Sequence, residues 1–297
     1  MVNNVGKVER EEERFLVKLR AVKPIVKQVW YRGQWPSSAK ATAGEHCIFE
    51  KCCAVVGSRK MSRYGKQVLA EVIPKLCNAG YTIVSGLMYG VDQEAHKLTL
   101  ECGGRAVAVL AYGLKARSEE GATKLADKIV ESGGVVISEY PKDMTPKRWM
   151  FLQRNRIVVG LSEMVIVAEA GEKSGSLHTA TLAKKQGKDL YAIPGGIFSP
   201  TSVGANNLIA SGVAKAMTTR ELDHLTNSPF NHLRGGEVTR LNDGEREIAV
   251  LLKIEGPMGA NEIARSLGEN VGEILGRLMK MEMGGVLTEE RGIWKLL

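Results

Sequence analysis

The sequence predicts an α/β protein: a mostly parallel, doubly wound sheet, followed by a small helical unit that ends in a hairpin. Three observations predict it. From residue 53 onward, short runs rich in Val, Ile and Ala recur without polar alternation. Amphipathic segments of helix length separate them. A linker-like stretch, "TNSPFNHLRGGE", then sets off the rest of the chain.

The strand-like runs are "CAVVG" (53–57), "YTIVSG" (81–86), "AVAVLA" (106–111), "GVVISEY" (134–140), "MVIVAEA" (164–170) and "DLYAIPG" (189–195). They are apolar on both faces, as strands covered by helices on both sides must be. Segments such as "YGKQVLAEVIPKLCNAG" and "GATKLADKIVESGG" lie between them and end in Gly, a common helix stop. Strands alternating with helices give βαβ units, here a Rossmann-like domain. Pro74 is expected to kink its helix or mark its last turn. Residues 1–50 read as a short extension, with a charged helix over Val8–Val22 and an extended segment and loop in "VWYRGQWPSSAKATAG". The main domain is expected over 51–225 and a linker over 226–243. Over 244–297, three short helices and a hairpin turning at Arg291-Gly292 predict a winged helix-turn-helix.

Bulk properties exclude several classes. The chain has 297 residues, 44% hydrophobic and 25% charged, as in an ordinary globular protein. No apolar run nears the roughly 20 residues that span a bilayer, and no signal-peptide pattern opens the chain, so a cytoplasmic protein without membrane contact is expected. Five cysteines, an odd number, do not suggest a disulfide framework. His46, Cys47, Cys52 and Cys53 cluster, but adjacent cysteines suit a tetrahedral metal poorly; reduced, buried thiols are the reading, with no metal and no cofactor. The net charge is +8. Residues 244–297 hold 7 basic against 9 acidic side chains, so the basic excess belongs to the larger domain, where it favours a polyanion.

In a doubly wound sheet, ligands bind beyond the carboxyl ends of the strands. Four loops there are rich in donors and small residues. "GSRKMSRYG" offers Gly57, Ser58 and Arg59 before a helix; "SGLMYGVDQEAH" offers Gly86; "AGEKSGSLHTA" offers Ser174, Gly175, Ser176 and Thr179; "IPGGIFSPTSVGANN" leads to Asn206. Backbone amides at helix starts suit phosphate. None of the loops has the G-x-G-x-x-G or Walker pattern, so neither a nicotinamide nor an ATP site is indicated. No catalytic set is evident either: Asp92 and His96 read as a helix-start Asp and an interior His. Arg154, Asn155 and Arg156 stand just before a buried strand and follow Arg148, Trp149 and Phe151. Guanidiniums beside a core need an anion. Phosphate is one candidate; an internal pair with Glu139 or Glu169 is the other.

Six stretches in order, "VVGSRKMSRYG", "IVSGLMYGVDQEAH", "ISEYP", "FLQRNRIVVGLS", "VIVAEAGEKSGSLHTA" and "AIPGGIFSPTSVGANNLIASG", resemble the DNA-processing protein A family, DprA/Smf. The resemblance runs from about Val29 to Ala216, and the C-terminal winged helix is similar to that of some members. It departs at residues 1–50, which are short for the family's N-terminal module, and at "MYGVD", where the family shows Ala-Arg-Gly-Ile-Asp. The resemblance implies an extended Rossmann-like domain that binds single-stranded DNA, forms homodimers and loads a RecA-type recombinase during recombination or natural transformation, without being an enzyme. It also implies that Arg148 and Lys185 clamp the strand backbone and that Phe151 stacks on a base.

Two other readings stand beside it. Pro194, Gly195 and Gly196 resemble the loop of lysine-decarboxylase-like phosphoribohydrolases, which would make the chain a nucleotide-handling enzyme or sensor, but Ile197 and Phe198 follow the glycines. A duplex-binding regulator would use the third helix of the tail, whose Glu269 and Glu273 suit a groove walled by phosphate poorly. That helix reads at least as well as a protein-docking element.

Overall fold

The computed structural model describes residues 5–36, 47–116, 120–226, 243–283 and 286–296. Contacts divide the chain into two units, 1–224 and 225–297.

Unit 1 is built on a nine-stranded sheet. In chain order its elements are β1 (Gly6–Glu9), α1 (Val17–Arg20), β2 (Gln28–Arg32), β3 (Cys52–Val56), α2 (Arg63–Asn78), β4 (Thr82–Ser85), α3 (Val91–Glu101), β5 (Ala106–Val109), α4 (Glu120–Glu131), β6 (Val135–Ser138), α5 (Arg148–Leu161), β7 (Met164–Val167), α6 (Gly175–Lys185), β8 (Asp189–Ala192), α7 (Val203–Ala210), β9 (Lys215–Ala216) and α8 (Thr219–Thr226). The strand order is β1-β2-β6-β5-β4-β3-β7-β8-β9. From β6 to β9 all pairings are parallel, while β1 and β2 are antiparallel additions at the β6 edge.

The six expected strands all form. Every residue of β3 to β7 is buried, which is why their sequences show no alternation. Pro74 lies within α2, whose helix continues to Asn78. Cys52 and Cys53 are buried free thiols; His46 lies outside the described residues.

The N-terminus corrects the expected helix over Val8–Val22. Val8 is wholly buried in β1 and pairs with Val29 of β2. The charged stretch after it turns the chain, with Arg10 N donating to Lys27 O at 2.9 Å, and only Val17–Arg20 is helical. Burying Val8 and completing a ladder outweighs a helix propensity worth only tenths of a kcal/mol per residue. Phe15, Leu19 and Val22 then join one core cluster with Ile157 and Leu161 of α5. Arg32 pairs with Asp127 of α4 at 2.5 Å and fastens β2 to the domain.

Unit 2 contains α9 (Asp243–Glu255), β10 (Met258–Gly259), α10 (Ala260–Leu267), α11 (Val271–Met283), β11 (Leu287–Glu290) and β12 (Ile293–Leu296). Its sheet runs β10-β12-β11 and is antiparallel. The hairpin turns at Arg291 and Gly292, both with positive φ (56° and 83°), as a two-residue primed turn requires. Ile248, Ile263, Ile274, Leu278 and Trp294 form its core.

Candidate nucleic-acid interface

The direction of winding reverses at β3. The chain steps from β3 through β4 and β5 to β6 on one side, then crosses by α5 to β7 on the other. A crevice therefore opens between the loops that follow β3 and β7.

The β3–α2 loop is held from three sides. A Cβ at Gly57 would stand 2.6 Å from Val91 Cγ2 and 3.0 Å from Glu169 O, so only glycine lets the backbone pass. Ser58 O accepts from Val91 N at 3.1 Å, which joins the loop to the start of α3. Ser62 caps α2, its Oγ accepting from Gly65 N at 3.1 Å. Glu169, buried at the end of β7, then ties loops together: its carboxylate accepts from Ser62 N (2.8 Å), Ser62 Oγ (2.5 Å) and Thr201 Oγ1 (3.0 Å). This internal anion sits where the helix start favours negative charge.

Between these anchors Arg59 and Lys60 are exposed. The Arg59 guanidinium lies 5.4 Å from the centre of the Phe151 ring, a cation–π pair. Phe151 is half-buried in the first turn of α5, with one side packed against the cluster that holds Met150 and Tyr140. No side chain caps α5 and no acidic residue stands in its first turn, where Lys147 and Arg148 are exposed. Trp149, half exposed, meets Tyr140 edge-on at 6.1 Å. The β7–α6 loop closes on the same helix: a Cβ at Gly175 would lie 3.9 Å from Leu152. The β3–α2 loop, the start of α5 and the β7–α6 loop thus come together, with Arg59 against Phe151 and Gly175 near Leu152.

The arginines that follow point inward, which corrects the expectation that they meet the ligand. Arg154 and Arg156 are 4% and 3% exposed. Arg154 donates to Val109 O and to Asn155 Oδ1 (3.1 Å) and lies 3.9 Å from Asp92. Arg156 donates to Glu139. A side chain at Gly86 would collide with both Asp92 and Arg154. Burial raises the carboxyls of Asp92 and Glu139 above their ordinary values, against the pull of their arginines, and lowers Arg154. His96 is buried, hydrogen-bonded to Gly86 O at 2.8 Å, and burial lowers it to about 4. These groups brace the floor of the crevice. Glu139 takes one arginine as expected from sequence, whereas Glu169 takes serine and threonine instead.

The model of the family described as DNA recombination-mediator protein A matches residues 8–227. The chain belongs to this family. The DNA processing protein DprA of Bacillus subtilis is 40% identical over 167 residues, 56% of each chain, so the chain matches about half the length of that relative. Among solved structures, DNA processing protein A of Streptococcus pneumoniae is 32% identical with a TM-score of 0.66, covering 75% of this chain and 74% of that one. DNA processing protein A of Helicobacter pylori, whose structure concerns its single-stranded DNA binding mode, is 26% identical with a TM-score of 0.64, covering 75% of this chain and 94% of that one.

Several residues attributed to the DprA/Smf site from sequence stand elsewhere. Lys185 closes α6, the far end of an 11-residue helix, about 15 Å from Gly175 at 1.5 Å per residue. It stands at the end of α6 away from the β7–α6 loop. Asn206 spends both ends of its amide on Gly195, N and O, at 3.1 Å each. Thr179 is 1% exposed, and Ser176 is 6% exposed and shares a 2.6 Å bond with Ser174. Ser176 and Thr179 are thus buried within α6, and the half-buried Asn206 holds the β8–α7 loop. Sequence reasoning missed Ser62 and Thr201, polar residues whose partner lies over 30 positions away in each case. The signal available for Ser62 was its place just before a helix, the ordinary N-cap position.

Proposed function

We propose that this DprA/Smf family member binds single-stranded DNA across the carboxyl edge of its sheet and acts as a recombination mediator. The observation that carries the reading is the Arg59–Phe151 pair beside the uncapped, basic start of α5. Cations there meet phosphates, and an aromatic face accepts any base, so binding is nearly independent of sequence. Arg154 and Arg156 serve as pillars beneath that surface. The similarity to the Helicobacter pylori protein supports the same reading.

Homodimer formation and the loading of a RecA-type recombinase complete the proposal, and both rest on the family. We assign the chain no catalytic step. We read unit 2 as the winged helix-turn-helix. The first turn of α11 carries Glu273, and Arg277 is paired with Glu269 at 2.7 Å, which suits a protein contact better than duplex DNA. The phosphoribohydrolase reading is not favoured by the family match.

A fluorescence-anisotropy titration with an oligonucleotide, its duplex and free nucleotides tests the function. The single strand is expected to bind most tightly. Preference for a free nucleotide would return the chain to the nucleotide-handling class.

A further inference from the structure

The loop between β8 and α7 displays Phe198 at 93% exposure and Ile197 at 77%. Single apolar residues on a surface need no explanation. This pair differs because the loop beneath it is braced. Asn206 clamps Gly195 by N and O. Ser199 N donates to Gly196 O at 2.9 Å and Ser202 N to Ser199 O at 3.0 Å, so two successive turns carry the chain round. Thr201 reaches Glu169, and Tyr64 Oη donates to Pro194 O at 2.6 Å. Both arms of the loop are therefore fixed to the start of α2, and a phenyl ring stands out from a rigid frame with almost no protein against it.

The surroundings favour a polyanion with flat bases. The stretch 194–202 carries no charge of its own, while Arg59, Lys60 and Arg63 are exposed on the neighbouring loop and helix start. β3 and β8 are two places apart in the sheet, about 10 Å at about 4.8 Å per strand. That distance is about three stacked nucleotides at about 3.4 Å each. A strand that meets Arg59 at the β3 end has the β8–α7 loop within about that span, on a loop that Tyr64 ties to the start of α2.

We propose that Phe198 is a second stacking platform, which takes a base of the same single strand downstream or upstream of the one on Phe151. The inference rests on the strand-binding reading above. A ring held out by a pre-ordered loop loses little conformational freedom on binding, so most of the stacking energy appears as affinity.

The test compares the full chain with Phe198→Ala on two probes: a 20-residue oligodeoxythymidine and an abasic backbone of the same length. Loss of one stacked base corresponds to about a 5- to 150-fold weakening. This is expected on the oligonucleotide and absent on the abasic strand, with the salt dependence unchanged. The melting temperature should not move, because the ring packs on almost nothing. Phe198→Trp should restore affinity, with its fluorescence quenched by the strand. Equal binding of wild type and Phe198→Ala overturns the inference. So does an equal loss on the abasic strand, or a change in oligomeric mass with normal strand binding, which would make the ring a protein contact. A wild-type chain that ignores the oligonucleotide sinks the strand-binding reading itself, and this inference with it.

Discussion

The guanidinium of Arg59 rests over the ring of Phe151, 5.4 Å from its centre, and the two residues come from different crossovers of the sheet. The pair sets a charge and a flat apolar face at the same point. Phe151→Ala removes the face and leaves the charge. Oligonucleotide affinity should fall about 5- to 150-fold, the worth of one stacked base, while the salt slope stays. Because Phe151 is half-buried, the melting curve of the same variant must be measured; normal affinity of its folded fraction would reduce the ring to a packing residue.

Salt dependence separates the cations that face solvent on the site from those elsewhere. Arg59→Ala and Arg148→Ala should each remove about 0.7 from the slope of log K against log salt. Lys185→Ala, at the other end of α6, should leave the slope as it was. Titrations at four or five salt concentrations decide this, and a flattened slope for Lys185→Ala would put the strand on the opposite edge.

The pair Arg156–Glu139 is a matter of stability. Removing one partner leaves a buried charge alone, at a cost of about 3–5 kcal/mol. Arg156→Ala should therefore melt well below wild type. The double change Arg156→Met with Glu139→Leu should cost less than either single one. Thermal unfolding of the three variants measures it, and additive losses would contradict the assignment.

Acid should weaken the domain through His96. Its folded value is lowered from 6.5 to about 4, so the unfolded chain binds the extra proton between those values. Its contribution is complete above pH 6.5 and is lost as pH falls towards 4, by about 3 kcal/mol in all. Asp92 and Glu139, raised by burial, act in the opposite sense. Comparing wild type with His96→Gln, by melting temperature from pH 7 to 4, isolates the histidine. Parallel curves would remove it from the account.

What the sequence made legible follows from where each residue's partners lie. β3 to β8 and their helices repeat a local pattern, and β3 to β7 are buried on both faces, so period and composition suffice. β1 failed that test: one wholly buried residue, Val8, amid charges looks like the face of a helix, and only its pairing with Val29 makes it a strand. The site divides in the same way. Gly57, Ser58, Arg59 and Gly175 were readable because they sit at strand ends. The inward turn of Arg154 and Arg156 was readable only as one of two alternatives, because it depends on Asp92, Val109 and Glu139, which arrive from other crossovers. Phe198 was read only as a departure from another family's loop, because nothing local distinguishes a ring held in solvent from one tucked under its loop.

The antiparallel strands at the β6 edge have a consequence for the nascent chain. β2 pairs with β6 through Trp30 and Ser138, positions 108 residues apart (138 − 30). At about 5–20 residues per second, a ribosome needs roughly 5–20 s between making the two. Throughout that interval Val8, Phe15 and Val29 have no sheet to cover them. β1 and β2 are made well before the sheet edge they join, and their apolar side chains are the ones a chaperone would meet.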